Sequence, residues 1–102
     1  MSLALIDFSE RIADDIDRIA AHLAEYEVSD ASDRVAAILN AIDALEYNPL
    51  IGRSVESGDR ELVVGRDARG YLVLYRYFPG NNTVYVLGIR AQREAGYVDD
   101  LL

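Results

Sequence analysis

The sequence contains neither cysteine nor lysine among its 102 residues. Without cysteine, disulfide bonds and thiolate chemistry are excluded. The ten basic side chains are therefore all arginines, and they face 18 acidic ones, so the formal net charge is −8. Because attraction to phosphate dominates non-specific binding of nucleic acids, a chain this acidic is a poor non-specific binder of them.

Other absences narrow the function further. No apolar run approaches the roughly 20 residues that a membrane span needs, and the N-terminus lacks the pattern of a secretory signal. We therefore expect a cytoplasmic protein that does not contact a membrane. His22 is the only histidine, which disfavours a zinc site and Ser-His-Asp catalysis. With no glycine-rich phosphate loop either, we expect no metal and no cofactor.

Length and charge distribution define the organisation of the chain. A chain of 102 residues that is 51% hydrophobic suits one packed domain, which we predict to span residues 1–102. Residues 1–50 carry a net charge of −8 (11 acidic, 3 basic), and residues 51–102 carry a net charge of 0 (7 acidic, 7 basic). Any site that binds anions is therefore expected in the second half, and the acidic first half is expected to be solvated surface.

Apolar periodicity predicts two helices after a short first strand at residues 3–8. Ser9 is a candidate N-cap for the first helix, and Ser29 or Asp30 for the second. Each helix has one apolar face with spacings of three and four residues. The faces are formed by Ile12, Ile16, Ile19 and Leu23, and by Val35, Ile38, Ile42 and Leu45. Asn48-Pro49 ends the second helix, and the short link between the helices predicts an antiparallel helical hairpin.

The second half reads as strands. Residues 61–64, 71–78 and 83–89 are rich in β-branched and aromatic side chains, whereas residues 50–59 and 65–70 read as loops, and residues 94–102 as a short helix or tail. The predicted fold class is α+β, with an N-terminal strand and an antiparallel helical hairpin packed on a mainly antiparallel sheet of about four strands. Both faces of the sheet look largely apolar, so we expect the second face to take the tail or a partner chain.

The register of the last hairpin is predicted from a two-residue turn at Gly80-Asn81. It places Arg76 opposite Tyr85, Leu74 opposite Leu87, Leu72 opposite Ile89 and Tyr71 opposite Arg90. Tyr71, Tyr75, Tyr77 and Arg90 then share one face. The tyrosines are expected to pack the sheet, and not to stack on bases.

The order β-α-α-β-β-β in about 100 residues resembles the RelE/ParE toxin superfamily, whose members are toxins of type II toxin–antitoxin systems, including plasmid-stabilisation proteins. The similar segments are Asn48-Pro49-Leu50-Ile51-Gly52-Arg53, Arg60-Glu61-Leu62, Gly70-Tyr71-Leu72-Val73-Leu74-Tyr75-Arg76, and residues 86–97 (VLGIRAQREAGY). The resemblance covers nearly the whole chain. It implies a toxin held inactive by a cognate antitoxin that covers the helical hairpin and a sheet edge.

Members of the superfamily differ in target, and the fold alone does not choose between targets. RelE-like members cleave messenger RNA on the ribosome without a metal, and ParE-like members poison DNA gyrase. For a nuclease, the resemblance implies Tyr97, Arg66 and Arg93 as catalytic candidates. Arg69 is an alternative to Arg66 in the same loop. Arginine suits the cation role because its fork of donors matches phosphate oxygens.

Two departures disfavour the nuclease. Nucleolytic relatives use lysines on the strand near residues 60–64, and this chain has none. Ala91 occupies a position where relatives often carry histidine or arginine, and alanine can neither donate, accept nor titrate. An alanine there fits a branch without nuclease activity, a nuclease of reduced activity, or an engineered inactivating substitution.

Ordinary structural roles compete with each candidate. Tyr97 can pack over an apolar patch, and Arg66 and Arg69 can be solvated. Arg76 can stack on Tyr85 or pair with a helix carboxylate. Arg69, Arg76 and Arg90 are otherwise our candidates for contact with a target or partner.

The leading hypothesis is therefore a ParE-like toxin that inhibits DNA gyrase and is neutralised by an antitoxin. The alternatives are a metal-free, ribosome-dependent endoribonuclease and a decayed homologue that only binds the antitoxin. Whether the chain is an enzyme is left open by the sequence, as is its association into a homodimer.

Overall fold

The computed structural model describes residues 2–65 and 70–92. Strand β1 (Leu5–Phe8) is followed by helices α1 (Arg11–Glu25) and α2 (Ala31–Ala44). Four further strands follow: β2 (Arg53–Ser54), β3 (Arg60–Val64), β4 (Tyr71–Phe78) and β5 (Thr83–Ala91). No helix within the described ranges is long and apolar enough to cross a membrane.

The sheet has five strands in the order β1-β5-β4-β3-β2. β1 lies parallel to β5, and the other neighbours are antiparallel. The predicted α+β class is confirmed, and the sheet gains one strand over the expected four. This strand, β2, is only two residues long and lies in a segment that reads as loop, because two residues carry no detectable alternation.

The apolar faces of both helices pack against one face of the sheet. Ile38, Ile42 and Leu45 of the α2 segment are at most 1% exposed, and Val73, Tyr75, Val84 and Val86 of the sheet are fully buried. Ile12, Ile19 and Leu23 of α1 join the same core. The predicted helical periodicity is therefore confirmed. Burying these side chains supplies the main stabilisation, at about 1.5–3 kcal/mol for each large aliphatic residue.

Neither helix is capped as the sequence suggested. The Ser9 hydroxyl donates to the backbone oxygen of Leu87 at 2.9 Å, and α1 begins after Glu10 without a side-chain cap. Asp30 does precede α2, but its carboxylate accepts from Arg34 Nε at 3.0 Å and caps no backbone amide. Polar side chains at both helix starts therefore make tertiary or side-chain contacts in preference to capping.

The predicted register of the β4–β5 hairpin is correct near the turn and wrong beyond it. Arg76 lies opposite Tyr85 and Tyr75 opposite Val86, but Leu74 then lies opposite Gly88. Leu87 is thus an extra residue, a β-bulge. The turn itself spans four residues, 79–82, because the last pair is Phe78–Thr83.

The bulge reverses the facing of the end of β5. Ile89, expected on the same face as Leu72 and Leu74, is 2% exposed and packs in the core against the helices, on the opposite face from them. Arg90 lies opposite Leu72, and Ala91 lies opposite Tyr71. We call the sheet face away from the helices the second face; it carries Leu72, Leu74, Arg76, Tyr85 and Arg90.

Candidate functional site

The structure describes three of the seven residues that sequence analysis singled out. Arg76, Arg90 and Ala91 lie in β4 and β5. The others, namely Arg66, Arg69, Arg93 and Tyr97, lie outside the described residues, as does the segment 94–102. Their catalytic and binding roles therefore stay predictions.

Arg76 holds a loop of its own chain. Its Nε donates to Asp59 Oδ1 at 2.7 Å and its Nη2 to the backbone oxygen of Ser57 at 2.6 Å. These bonds fasten the short 3₁₀ turn between β2 and β3 to the middle of the sheet. The expected carboxylate partner is present, but it belongs to this loop and not to a helix. Part of the guanidinium's donor capacity is thus already used.

Ala91 and Arg90 lie on opposite faces of β5. Ala91 is half-buried and packs against the core on the helix side of the sheet. It is therefore not part of the second face. Arg90 is exposed, and no ion pair or hydrogen bond holds its side chain within residues 2–65 and 70–92. The wrong register had grouped Arg90 with the core tyrosines, and the bulge directs it to the second face instead.

Arg90 lines a cleft of about 280 Å³ on the second face. Its lining is about equally polar and apolar, and its arginines come from two elements, α1 and β5. The lining residues are Arg11, Arg18, Glu61, Leu72, Leu74, Leu87, Gly88, Ile89 and Arg90. The cleft thus combines aliphatic side chains with three cations in a chain whose net charge is −8. We take it as the candidate functional site.

A buried carboxylate fixes one wall of the cleft. Asp15 is 3% exposed, and its Oδ2 accepts the Ile89 amide hydrogen bond at 2.9 Å. Its Oδ1 accepts from Arg18 Nη1 at 3.1 Å, and Arg18 Nη2 donates to the Ile89 backbone oxygen at 3.0 Å. The two side chains of α1 therefore bind both backbone groups of Ile89, as a neighbouring strand would.

Sequence reasoning missed this contact and assigned the acidic helix residues to solvated surface. A signal was present, since Asp15 follows Ile12 by three residues and precedes Ile19 by four. That spacing places it on the apolar face. An acidic residue on that face, with arginines at positions 11 and 18, indicates a buried, paired carboxylate.

Most described arginines are engaged within the chain. Seven of the ten lie in described residues, and six of these make ion pairs or hydrogen bonds to the chain's own oxygens. Their partners are Asp15 for Arg11 and Arg18, Asp30 for Arg34, Glu61 for Arg53, the backbone oxygens of Leu50 and Gly52 for Arg60, and Asp59 for Arg76. Among the described residues, the arrangement therefore offers no group of uncommitted cations for an RNA backbone.

The link between α2 and the sheet is fastened by Tyr75. Its ring is fully buried, and its hydroxyl accepts from the Gly52 amide at 2.9 Å and donates to the Pro49 backbone oxygen at 2.8 Å. Burial raises the pKa of Tyr75, and the Gly52 hydrogen bond and nearby Arg60 offset only part of this rise. The phenol is therefore neutral and structural, and the expected packing role of this tyrosine is confirmed.

Replacing Tyr75 with phenylalanine is expected to lower the free energy of unfolding by about 1–2 kcal/mol at neutral pH, because a buried amide and a carbonyl lose their partner. The difference in free energy of unfolding between the native chain and the variant should become smaller above pH ~10. There the unfolded chain loses the Tyr75 proton before the folded chain does, so the native protein loses stability that the variant does not. Urea unfolding of both proteins, from neutral pH to above pH ~10, measures this difference. A difference that grows at high pH would contradict the prediction.

A metal centre is not supported by the described residues, since they hold no group of three or more histidine, cysteine, aspartate or glutamate side chains suited to an ion. The candidate cleft instead presents aliphatic side chains, Leu72, Leu74 and Leu87, beside the cation of Arg90. Its described residues include no histidine and one carboxylate, that of Glu61.

Comparisons with known proteins agree on the fold. A chromosomal ParDE system from P. aeruginosa aligns with a TM-score of 0.70 at 22% identity, over 87% of this chain and 96% of that one. A RelBE toxin–antitoxin complex from Mycobacterium tuberculosis aligns with a TM-score of 0.62 at 18% identity, over 88% and 99%. A double mutant of the E. coli toxin RelE in the free state aligns with a TM-score of 0.60 at 16% identity, over 98% and 93%.

A search of the curated proteins gives no match. The sequence itself matches the family model described as the ParE toxin of the type II toxin–antitoxin system, parDE, over residues 6–96. This match covers both helices, all but the first residue of β1, and every later strand. The chain therefore belongs to the ParE toxin family, within the RelE/ParE superfamily of type II toxin–antitoxin systems.

Proposed function

We propose that the chain is a toxin that acts by binding a protein target, DNA gyrase, and that a cognate antitoxin neutralises it. The observation that carries this proposal is the composition of the cleft on the second face. Its lining includes Leu72, Leu74 and Leu87 together with the exposed Arg90. Protein interfaces combine buried apolar contacts with arginine in this way.

The remaining charges favour a protein target over RNA. Cleavage of RNA requires cations around the crowded phosphate, together with an acid and a base. Six of the seven described arginines are already bound to oxygens of the chain, and the net charge of −8 repels a polyanion. The partner is proposed by analogy as well, since two similar structures come from a ParDE system and a RelBE complex.

The first experiment induces the chain in bacteria without antitoxin and follows new protein by pulse-labelling. We expect growth to stop while translation initially continues, with a DNA-damage response, because the proposed target is gyrase. Loss of labelling within minutes would instead favour the ribosome-dependent endoribonuclease, with Arg66, Arg93 and Tyr97 as the residues to mutate. Unaffected growth together with unaffected supercoiling by purified gyrase would contradict the proposal and favour a homologue that only binds antitoxin.

The cleft is tested by removing one positive charge inside it and one outside it. Arg90→Gln is expected to weaken gyrase binding about tenfold, because a charged contact in a desolvated interface is worth about 1.5–3 kcal/mol. Arg34→Gln is the matched control, since Arg34 lies on α2 and pairs with Asp30. Supercoiling inhibition measured against protein concentration separates the two variants. Equal inhibition by both would place the contact elsewhere.

A further inference from the structure

The arginines of the candidate cleft share a single buried carboxylate, that of Asp15. Arg18 uses it fully, since its Nη1 donates to Oδ1 at 3.1 Å while its Nη2 donates to the Ile89 backbone oxygen at 3.0 Å. Arg11 Nε lies 3.7 Å from Oδ2, outside hydrogen-bonding distance, and the Arg11 side chain is 71% exposed. Arg90 is exposed too, and no ion pair or hydrogen bond holds it among the described residues. Asp15 therefore balances Arg18, and the charges of Arg11 and Arg90 remain largely unbalanced.

The carboxylate that lines the cleft, Glu61, already has a partner of its own. Its Oε1 accepts from Arg53 Nε at 3.1 Å and also from Arg53 Nη2. Arg53 does not line the cleft, so the charge of Glu61 is balanced from outside it. In the part of the chain that the structure describes, the cleft thus holds two guanidinium groups, Arg11 and Arg90, for which no carboxylate is supplied.

Aliphatic side chains and open space lie beside these two cations. Leu72, Leu74 and Leu87 line the cleft together with Gly88. A Cβ at Gly88 would lie 3.8 Å from Arg11 Nε and 3.9 Å from its Cζ, so the absence of a side chain there leaves the approach to Arg11 open. The volume of about 280 Å³ is below the usual range of small-molecule pockets. It suits a few side chains of a partner better than a separate small ligand.

The surroundings of the cleft favour one carboxylate over a polyanion. Glu10 and Asp14 are exposed at the start of α1, on either side of Arg11 in sequence, and the whole chain carries a net charge of −8. A nucleic-acid backbone repeats its negative charge at every nucleotide, so its groups outside the cleft would meet these carboxylates. A single aspartate or glutamate brings its charge only to the arginines, whose forked donors match carboxylate oxygens. The charge pattern therefore favours a protein segment.

We propose that the candidate cleft binds a segment of a partner protein in which one aspartate or glutamate has aliphatic neighbours. The carboxylate accepts hydrogen bonds from Arg11 and Arg90, and the neighbours pack against the three leucines of the cleft. Specificity then comes from both parts, because a neutral side chain leaves the two cations unbalanced and a polar neighbour buries no aliphatic surface. The protein target proposed above, DNA gyrase, is the expected source of the segment, and this source alone rests on the proposed function.

The test uses the full chain labelled with ¹⁵N and three acetylated, amidated peptides: Leu-Glu-Leu, Leu-Gln-Leu and Gly-Glu-Gly. At millimolar concentration, we expect Leu-Glu-Leu to shift the Nε signals of Arg11 and Arg90 and the amide signal of Gly88. Its affinity should exceed that of Leu-Gln-Leu about fivefold, because hydrogen bonds to an ionised acceptor are roughly twice as strong as those to a neutral one. Gly-Glu-Gly should bind about threefold more weakly than Leu-Glu-Leu, because it buries no aliphatic side chain.

Two arginine variants locate the contact. Arg90→Gln should reduce the preference for Leu-Glu-Leu over Leu-Gln-Leu to less than about twofold, because it removes one of the two available cations. Arg34→Gln removes the same charge from α2, where Arg34 pairs with Asp30, and should leave the preference unchanged. Because Arg90 is exposed, its variant should keep the fold, and the dispersion of the ¹⁵N spectrum checks this.

Equal affinity for Leu-Glu-Leu and Leu-Gln-Leu would overturn the proposal, as would equal effects of Arg90→Gln and Arg34→Gln. A short oligouridylate that shifts the same signals at a lower concentration than Leu-Glu-Leu would assign the cleft to RNA instead. Peptide binding that appears only after residues 98–102 (VDDLL) are removed would assign it to that segment of the same chain.

The peptide assay and the gyrase assay fail separately. Neither gyrase nor growth enters the peptide titration. A chain that prefers Leu-Glu-Leu but leaves gyrase active would keep the carboxylate site and lose only the expected source of the segment. A chain that inhibits gyrase without preferring Leu-Glu-Leu would keep the proposed function and overturn the carboxylate site.

Discussion

Asp15→Ala is expected to lower the free energy of unfolding by about 3 kcal/mol, because it leaves the buried Ile89 amide without an acceptor and Arg18 without its carboxylate. The loss should be large for a helix residue, since the carboxylate joins α1 to a strand 74 positions away in sequence. Urea unfolding followed by circular dichroism measures it. The ¹⁵N spectrum should show its largest changes at residues 87–90.

Asp15→Asn separates the bond to the Ile89 amide from the other contacts of the carboxylate. It keeps an acceptor for that amide, but its Nδ2 then faces Arg18 Nη1 and cannot accept from it. The variant therefore loses the Arg18 hydrogen bond and the attraction to Arg11 and Arg18, and we expect a loss of about 2 kcal/mol, smaller than that of Asp15→Ala. Asp14→Ala, at the exposed neighbouring position, should change stability by less than about 0.5 kcal/mol. If Asp15→Ala were as mild as Asp14→Ala, the carboxylate would not be holding the strand.

Gly52→Ala is expected to lower the free energy of unfolding by about 2–3 kcal/mol, the upper part of the usual range for overpacking a well-packed core. A Cβ at position 52 would lie 2.7 Å from the Tyr75 hydroxyl oxygen, 2.8 Å from Tyr75 Cε1 and 3.0 Å from the Glu61 backbone oxygen. The Tyr75 ring is fully buried and cannot move aside without opening the core. Thermal and urea unfolding should both show the loss.

Gly80→Ala is the matched control for this substitution. It makes the same chemical change in the β4–β5 turn, where an added Cβ meets no atom within 4 Å. We expect its stability to stay within about 0.5 kcal/mol of the native chain. The double variant Gly52→Ala with Tyr75→Phe should recover part of the loss, because the closest clash is with the hydroxyl oxygen. A double variant with fully additive losses would show that the clash lies elsewhere.

The sequence predicted those parts of the fold that depend on local pattern. Ile12, Ile19 and Leu23 recur at helical spacing and are buried, because only one side of α1 can face the sheet. The aromatic and β-branched run that became β4 was predicted with its observed bounds, Tyr71–Phe78. Patterns of this kind are read from neighbouring residues and need no knowledge of what packs on them.

Long-range pairing was beyond such patterns. The bulge at Leu87 reversed the predicted facing of Ile89 and Arg90, and strict alternation cannot reveal it because one extra residue leaves each flanking run intact. Gly88 was the available signal, since glycine inside a strand often marks a bulge. The Arg76–Asp59 ion pair and the Ser9–Leu87 hydrogen bond also join distant residues, and spacing along the chain does not indicate them.

The candidate site was predicted in part. Arg90 was selected because arginine suits anionic partners, and the structure places it in the lining of the candidate cleft. The sequence also placed Leu72, Leu74 and Leu87, the leucines of that cleft, on one face of the hairpin, although the predicted register lacked the bulge at Leu87. Arg11 and Arg18 were not selected, because α1 approaches the cleft only through its contact with Ile89.

The parallel pairing of β1 with β5 has a consequence for the order of folding during synthesis. The first strand emerges from the ribosome long before its partner, since Leu5 of β1 pairs with Thr83 of β5. Until then the apolar face of α1 and both edges of β1 have no sheet to join, and long-range pairing of this kind closes slowly. A nascent chain that lacks β5 therefore has no completed cleft, so any toxic activity of the cleft appears only after the last strand has been made.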